Sequence, residues 1–343
     1  MKKRLKRKNY FKARSNYQLK RRSKRWKRKK VYKKWLRKNF IYETLKQQNK
    51  EFVSHPAPEN YSFIQNTNEV LKYFDEAIKI FETKRNINFD ISKIKNLTPD
   101  AIALHVSFIK RSSIVKNCLA TGNYPDSPEL NKLFTQSGFQ RFVLTRGKKE
   151  KTEGNFLHRE RHFKVEPVIA KNAALAGIKH TFGNEKPYEP LYDILIECMS
   201  NTNNHATMTN DKTYWWLYVY NDPKTGNTSY SFIDLGVGIF KSIELQDYYT
   251  TFIKNLFKGK FLITHLSLVD DLLAGRIQSR IDEDNEIRGK GIPQIVEHSQ
   301  RKTFKEFFII SNDIKINLKT LGKEKLNYNF RGTFLYWEIQ KTK

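Results

Sequence analysis

Among the first 50 residues, 23 are Lys or Arg and one, Glu43, is acidic. A segment of net charge +22, with little to bury beyond the interleaved Tyr10, Phe11, Tyr17, Trp26, Tyr32 and Trp35, cannot offset the entropy of ordering its backbone. Residues 1–40 are therefore expected to be disordered, or helical only on a partner. Any core must come from the remaining 293 of 343 residues, which hold 41 basic and 34 acidic side chains. That part has an ordinary charge balance, so most of the chain's +29 belongs to an arm rather than to a fold. Cations alternating with aromatics suit phosphate neutralisation and base stacking, which points the arm at nucleic acid, the ribosome included. An acidic membrane surface and a merely solubilising tail are the competing readings.

Cys118 and Cys198 form neither a disulfide framework nor a metal-ligand spacing, which fits a reducing compartment. No apolar run reaches the roughly 18 residues that span a bilayer, and no apolar signal core opens the chain. The expectation is a cytoplasmic protein with no transmembrane segment.

Residues 51–145 read as a small α/β unit. Val70, Leu71, Phe74, Ile78 and Phe81 form one stripe of an amphipathic helix over 68–83. A strand is expected over 86–92, then a helix with Thr98 as N-cap and Pro99 at its first position. A helix over 130–137 should close at Gly138, followed by a strand over 139–144. With its strand, loop, Pro99 helix and Gly138 turn, this unit resembles a STAS domain, the module of anti-sigma-factor antagonists. The resemblance implies contact with a partner protein or a second copy through this unit, and a Ser or Thr near the helix start, nearest Thr98, that can be phosphorylated. As a plain N-cap Thr98 also has an ordinary structural role. Residues 146–165 read as a charged linker, in which His158 and His162 stand four apart; a solvated face is the simpler reading than a metal pair.

Residues 166–343 carry three short polar segments among helix and strand patterns. The first, from Glu197 through Asn201 to His205, lies on a helix over 191–206 and places those three side chains on one side, at i, i+4 and i+8. An Asn amide oxygen suits a magnesium ion that also binds phosphates and water, a nearby carboxylate suits a general base, and His205 suits phosphate contact or a helix cap. The second, Asp234-Leu-Gly236-Val-Gly238, ends a hairpin made of strands over 215–220 and 229–234. A buried carboxylate accepts a hydrogen bond from an exocyclic amine, and the glycines allow close backbone approach. The third, Arg288-Gly289-Lys290-Gly291, opens a helix over 292–298, where free N–H groups, the helix dipole and two cations can meet phosphate. Residues 243–267 read as helical, 270–288 as polar and poorly periodic, and strands are expected over 307–311, 314–318 and 333–340.

In this order and spacing the segments resemble the GHKL ATPases, the family of gyrase, MutL, histidine kinases and the large heat-shock chaperone. Glu197 and Asn201 match the family's base and magnesium ligand, and Asp234, Gly236 and Gly238 its adenine box. Gly289 and Gly291 match its second glycine box, and Gly332-Thr333 a segment whose Thr helps hold the adenine-side Asp. The resemblance implies a Bergerat-type α/β sandwich over a mixed sheet, ATP and Mg2+ as ligands, and a nucleotide lid over 240–288. The second glycine box departs from the usual pattern in reading Gly-Lys-Gly-Ile-Pro293. Three functions fit: an ATPase or ATP-dependent switch, an anti-sigma-like Ser/Thr protein kinase, and a nucleic-acid-binding adaptor that holds ATP only as a structural ligand.

Overall fold

The computed structural model describes residues 24, 51–111, 118–143, 155–161, 165–205, 214–244, 264–277 and 291–341. The fold is mixed α/β, and among the described residues it has one parallel and one antiparallel sheet of three strands or more. The first unit alternates strand and helix: β1 (Phe52–Pro56), α1 (Thr67–Glu82), β3 (Asn86–Asp90), α2 (Pro99–Ile109), β5 (Ala120–Gly122) and α3 (Pro128–Gln136). Its long strands pair in parallel, in the order β1-β3-β5, as helical crossovers require. Two-residue strands β2 (Asn60–Tyr61) and β4 (Asn96–Leu97) pair beside them.

Thr98 takes the N-cap position of α2 with extended backbone, but its hydroxyl makes no cap hydrogen bond. The carboxylate of Asp100 instead accepts the N–H groups of Phe63 and Ile64 at 2.7 and 2.9 Å. Gly138 adopts the left-handed conformation expected of it, at φ 82°. The strand expected after it is a 3-10 turn, Phe139–Arg141. Phe139 packs on Phe134 and His105 there, so its burial is met by a turn into the core.

The second unit is a five-stranded sheet in the order β6-β7-β8-β10-β9. Its strands are β6 (Phe156–Arg161), β7 (Tyr214–Asn221), β8 (Thr228–Asp234), β9 (Phe304–Asn317) and β10 (Gly322–Ile339). Every pairing is antiparallel, so the mixed sheet expected here does not hold. The reason lies in the connections. β7–β8 and β9–β10 are hairpins, and two helices, α4 (Pro167–Phe182) and α5 (Glu189–His205), return the chain from β6 to run against it as β7. The expected linker is also corrected: β6 lies within it and extends the sheet edge, placing His158 on a strand rather than a helix. His162 lies outside the described residues. The polar Ser-Asn-Asp stretch at 311–313 does not break β9, which runs on as one strand.

Short helix α6 (Ile239–Glu244) follows β8, and α7 (His265–Leu273) and α8 (Gly291–Ser299) precede β9. The helical reading of 243–267 falls mostly outside the described residues, and α7 replaces the first part of the stretch expected to be irregular. Alternate strand residues build two cores. Trp215, Leu217, Phe232, Leu335, Trp337 and Ile309 face α4, α5 and α8. Trp216, Tyr218, Ile233, Phe334, Tyr336 and Ile310 face the first unit, where α2 lies against β7 and β8 with residues 100–108 all buried. A helix buried between layers is apolar on most of its surface, and its polar residues Asp100, His105 and Ser107 are each hydrogen-bonded. Among the described residues, no helix is long and apolar enough to cross a membrane.

Candidate functional site

On the helix-side face, four side chains stand in one row across neighbouring strands: Trp215 of β7, Asp234 of β8, Thr333 of β10 and Ser311 of β9. Asp234 is buried, and its Oδ1 accepts the Gly236 N–H at 2.9 Å. Beside Thr333, Gly332 has φ 144°, and a Cβ there would stand 2.0 Å from the Asp234 backbone oxygen. Only glycine lets β10 approach β8 that closely. Ser311 Oγ donates to the Gly332 oxygen at 2.9 Å and lies 3.2 Å from Thr333 Oγ1. Asp234, Gly236 and Thr333, chosen from separate parts of the sequence, are thus neighbours. Gly238, at φ 87°, turns the loop that follows, against the side chain of Asn312.

A second group forms where α5 and α8 pack side by side. A Cβ on Gly291 would stand 2.7 Å from Glu197 Oε2 and 3.3 Å from both polar atoms of the Asn201 side chain. The apolar residues Leu191, Ile194, Leu195 and Cys198 of α5 face the core, which turns Glu197 and Asn201 along its flank toward the start of α8. Glu197 is half-buried. Burial, and next the Asp193 carboxylate one turn before it, hold its carboxyl above the ordinary range. Asp193 Oδ2 lies 3.4 Å from Nε2 of the buried His298 on α8, a second tie between the two helices. The His205 side chain, and all of Arg288, Gly289 and Lys290, lie outside the described residues.

The donor set decides what could be held here. Among the described residues, no three His, Cys, Asp or Glu side chains gather as a metal cage. One amide oxygen and one carboxylate beside a glycine-lined space fit a magnesium ion that takes its other ligands from phosphates and water. A Cβ at Gly291 would press on Glu197 and Asn201, so glycine is what lets the start of α8 lie against both side chains. A half-buried carboxylate with raised proton affinity suits proton abstraction near neutral pH.

Sequence reasoning passed over Ser311, Asn312, Asp193 and His298. A signal was present for Asn312: with Asp313 it separates the strands expected over 307–311 and 314–318, and it marks one continuous strand that serves a loop. Asp193 lies one turn before Glu197 on the same helix face, where an i, i+4 count would have found it. No family model matches the chain, and no curated protein matches it in sequence.

Proposed function

We propose that the chain binds Mg-ATP in a GHKL-type pocket and hydrolyses it, as an ATP-dependent switch. The observation that carries this reading is the meeting of Gly291 with Glu197 and Asn201, three residues from two distant segments that phosphate chemistry needs together. In this reading Asp234 accepts a hydrogen bond from the exocyclic amine of adenine, while Thr333, Gly236 and Gly332 hold the strand ends around it. Asn201 and the N–H groups opening α8 hold the phosphate end. Glu197 takes the proton from the attacking water, and its raised proton affinity supports that role. Mg2+, when bound, supplies neutralisation of the phosphate charge.

Hydrolysis is favoured over phosphorylation of the chain's own first unit by the layout of the sheet. Thr98 lines a cleft on the outer face, whereas Glu197 and Asp234 belong to the helix-side face. The arm, outside the described residues apart from Lys24, is proposed to contact nucleic acid or the ribosome and to carry the switch's output.

Calorimetry with Mg-ATP, followed by phosphate-release kinetics, tests the reading. Glu197→Ala should bind ATP as the parent does and lose about a hundredfold or more in turnover. Full turnover in that variant removes Glu197 as the base, and labelled phosphate appearing on protein rather than in solution favours the kinase. Gly291→Ala places its Cβ against the flexible end of the Glu197 side chain, so stability should change by about 0.5 kcal/mol or less. Turnover should still fall about tenfold as the carboxylate is displaced.

A further inference from the structure

The loop after Asp234 is held by β9 in an uncommon way. Asn312 is fully buried, with φ 54°, a left-handed conformation rare for a non-glycine residue inside a strand. The β9–β10 register shifts on the side of Asn312 next to Ser311, so its side chain leaves the regular alternation. Its Oδ1 accepts the N–H groups of Phe240 and Lys241 at 3.0 and 3.1 Å, and its Nδ2 donates to the Val237 oxygen at 2.9 Å. Gly238 wraps this amide so tightly that a Cβ there would stand 2.6 Å from both Oδ1 and Nδ2. Next to it, Ser311 Oγ accepts the Ile239 N–H at 2.8 Å while donating to Gly332.

Two consequences follow. The first N–H groups of α6, which a helix normally leaves open, are all taken by β9 side chains, so this helix start has none to offer a phosphate. The same two side chains tie the loop of Gly236 and Gly238 to the strand pair that carries Asp234 and Thr333. We propose that Asn312 is a positioning residue for base recognition: it sets the glycine loop against the adenine-reading carboxylate and thereby sets the preference for adenine over guanine. The inference rests on the ATP-binding reading and adds that affinity on the base side depends on a residue with no role toward phosphate.

The alternative to positioning is that Asn312 merely tolerates a strained backbone. Three variants separate the two. Asn312→Gly relieves positive φ and loses all three hydrogen bonds. Asn312→Ala keeps the strain and loses the bonds, and Asn312→Asp keeps the two acceptor bonds. Affinities for ATP, AMP and GTP, measured by calorimetry and competition on the full chain, give the readout.

Positioning predicts that Asn312→Ala and Asn312→Gly both lose about tenfold or more in ATP and AMP affinity alike, with a matching fall in the ATP-to-GTP ratio. Asn312→Asp should recover part of the loss. Parental affinity in Asn312→Gly, an unchanged ATP-to-GTP ratio in Asn312→Ala, or a loss confined to ATP would each overturn the proposal. Should the Asn312 variants fail to fold, Ser311→Ala, which leaves the Asn312 amide in place and removes the bonds to Ile239 and Gly332 and the contact with Thr333, should show the same pattern at smaller size, and its failure to do so overturns it equally. Amide hydrogen exchange at Phe240 and Lys241 keeps the two ideas apart. Faster exchange in Asn312→Ala together with a parent that binds no adenine nucleotide rejects the ATP reading but leaves the loop anchor standing, whereas unchanged exchange rejects the anchor.

Discussion

The two faces of the five-stranded sheet are made from alternate residues of the same strands, yet they are covered differently. On the helix side, Trp215, Phe232, Phe307 and Trp337 lie under α4 and α5 with at most 1% of their surface exposed. Close packing there needs small partners. Gly177 of α4 sits where a Cβ would stand 1.9 Å from the Tyr230 hydroxyl, which donates to the Ala173 oxygen at 3.1 Å. On the outer face, Tyr218, Tyr220 and Tyr336 replace most of the tryptophans, and a cleft of about 640 Å3 opens between the first unit and the sheet. Asp100, Glu306 and Glu338 all border that cleft. A dry face and a wetter one teach where to look for function. The proposed nucleotide pocket sits at the strand ends of the dry face, where a carboxylate such as Asp234 can be held in one direction.

The largest test of this contrast is Trp337→Ala. Removing a fully buried indole from the helix-side core should cost about 4 kcal/mol, read from denaturant melts. A cost below about 1.5 kcal/mol would mean that this face is not the closely packed one.

A second test uses pH and the first unit's own core. Burial pushes the His105 imidazole down to about 3, with nearby His55 adding to it, and its Nδ1 shares a hydrogen bond with the Tyr61 hydroxyl at 2.7 Å. In the unfolded chain the same ring takes a proton near pH 6.5. Between roughly 6.5 and 3 the unfolded state binds the proton and the folded state does not, so stability falls on acidification by about 1.4 kcal/mol per pH unit. Asp100 opposes this in part. Its carboxyl is raised, chiefly by burial, so acidification relieves a cost there. His105→Gln should flatten the acid slope, and hydrogen exchange should rise within residues 51–143 before the helix-side core. A parental slope in that variant would show that the acid sensitivity lies elsewhere.

The contrast between the faces also explains how much of the molecule the sequence made legible. The amphipathic stripe of α1, the β7–β8 hairpin and α5 follow from periodicity, because each buries one face and wets the other. Helix α4 escaped notice because its buried face, apart from Ile178 and Thr181, is Ala170, Ala173, Ala174 and Gly177, small residues that carry almost no hydrophobic signal. Pro167 at its start and Gly183 at φ 70° beyond its end were the readable marks. Strand β6 was hidden for the opposite reason. Its His158, Arg159 and Glu160 look like a solvated linker, yet Arg159 lies 3.6 Å over the Tyr214 ring and shields its stem there. At the proposed site, Glu197, Asn201 and Asp234 could be chosen because their chemistry is unusual for their positions, and Thr333 only through the family resemblance. Asn312 could not, since its role appears only when a strand bends to bring its amide under a loop.

The smallest effect is expected from a matched pair of tyrosines, one on each face. Tyr230 is fully buried, and its hydroxyl reaches the Ala173 oxygen in a site with no room for water beside Gly177. Tyr336 is 8% exposed, borders the cleft, and its hydroxyl has Glu338 Oε2 at 3.4 Å and the Ser229 side chain as partners. Replacing either by Phe removes one oxygen and keeps the ring. Tyr230→Phe should cost about 1 kcal/mol, because nothing replaces the lost partner in a dry layer. Tyr336→Phe should cost less than about 0.5 kcal/mol, because both partners it leaves, Ser229 and Glu338, border a cleft that admits water to them. Neither variant should alter ATP affinity, since neither hydroxyl lies in the row of Asp234 and Thr333. Equal costs for the two would mean that the faces are equally dry, and the contrast would then reduce to which side chains happen to line each one.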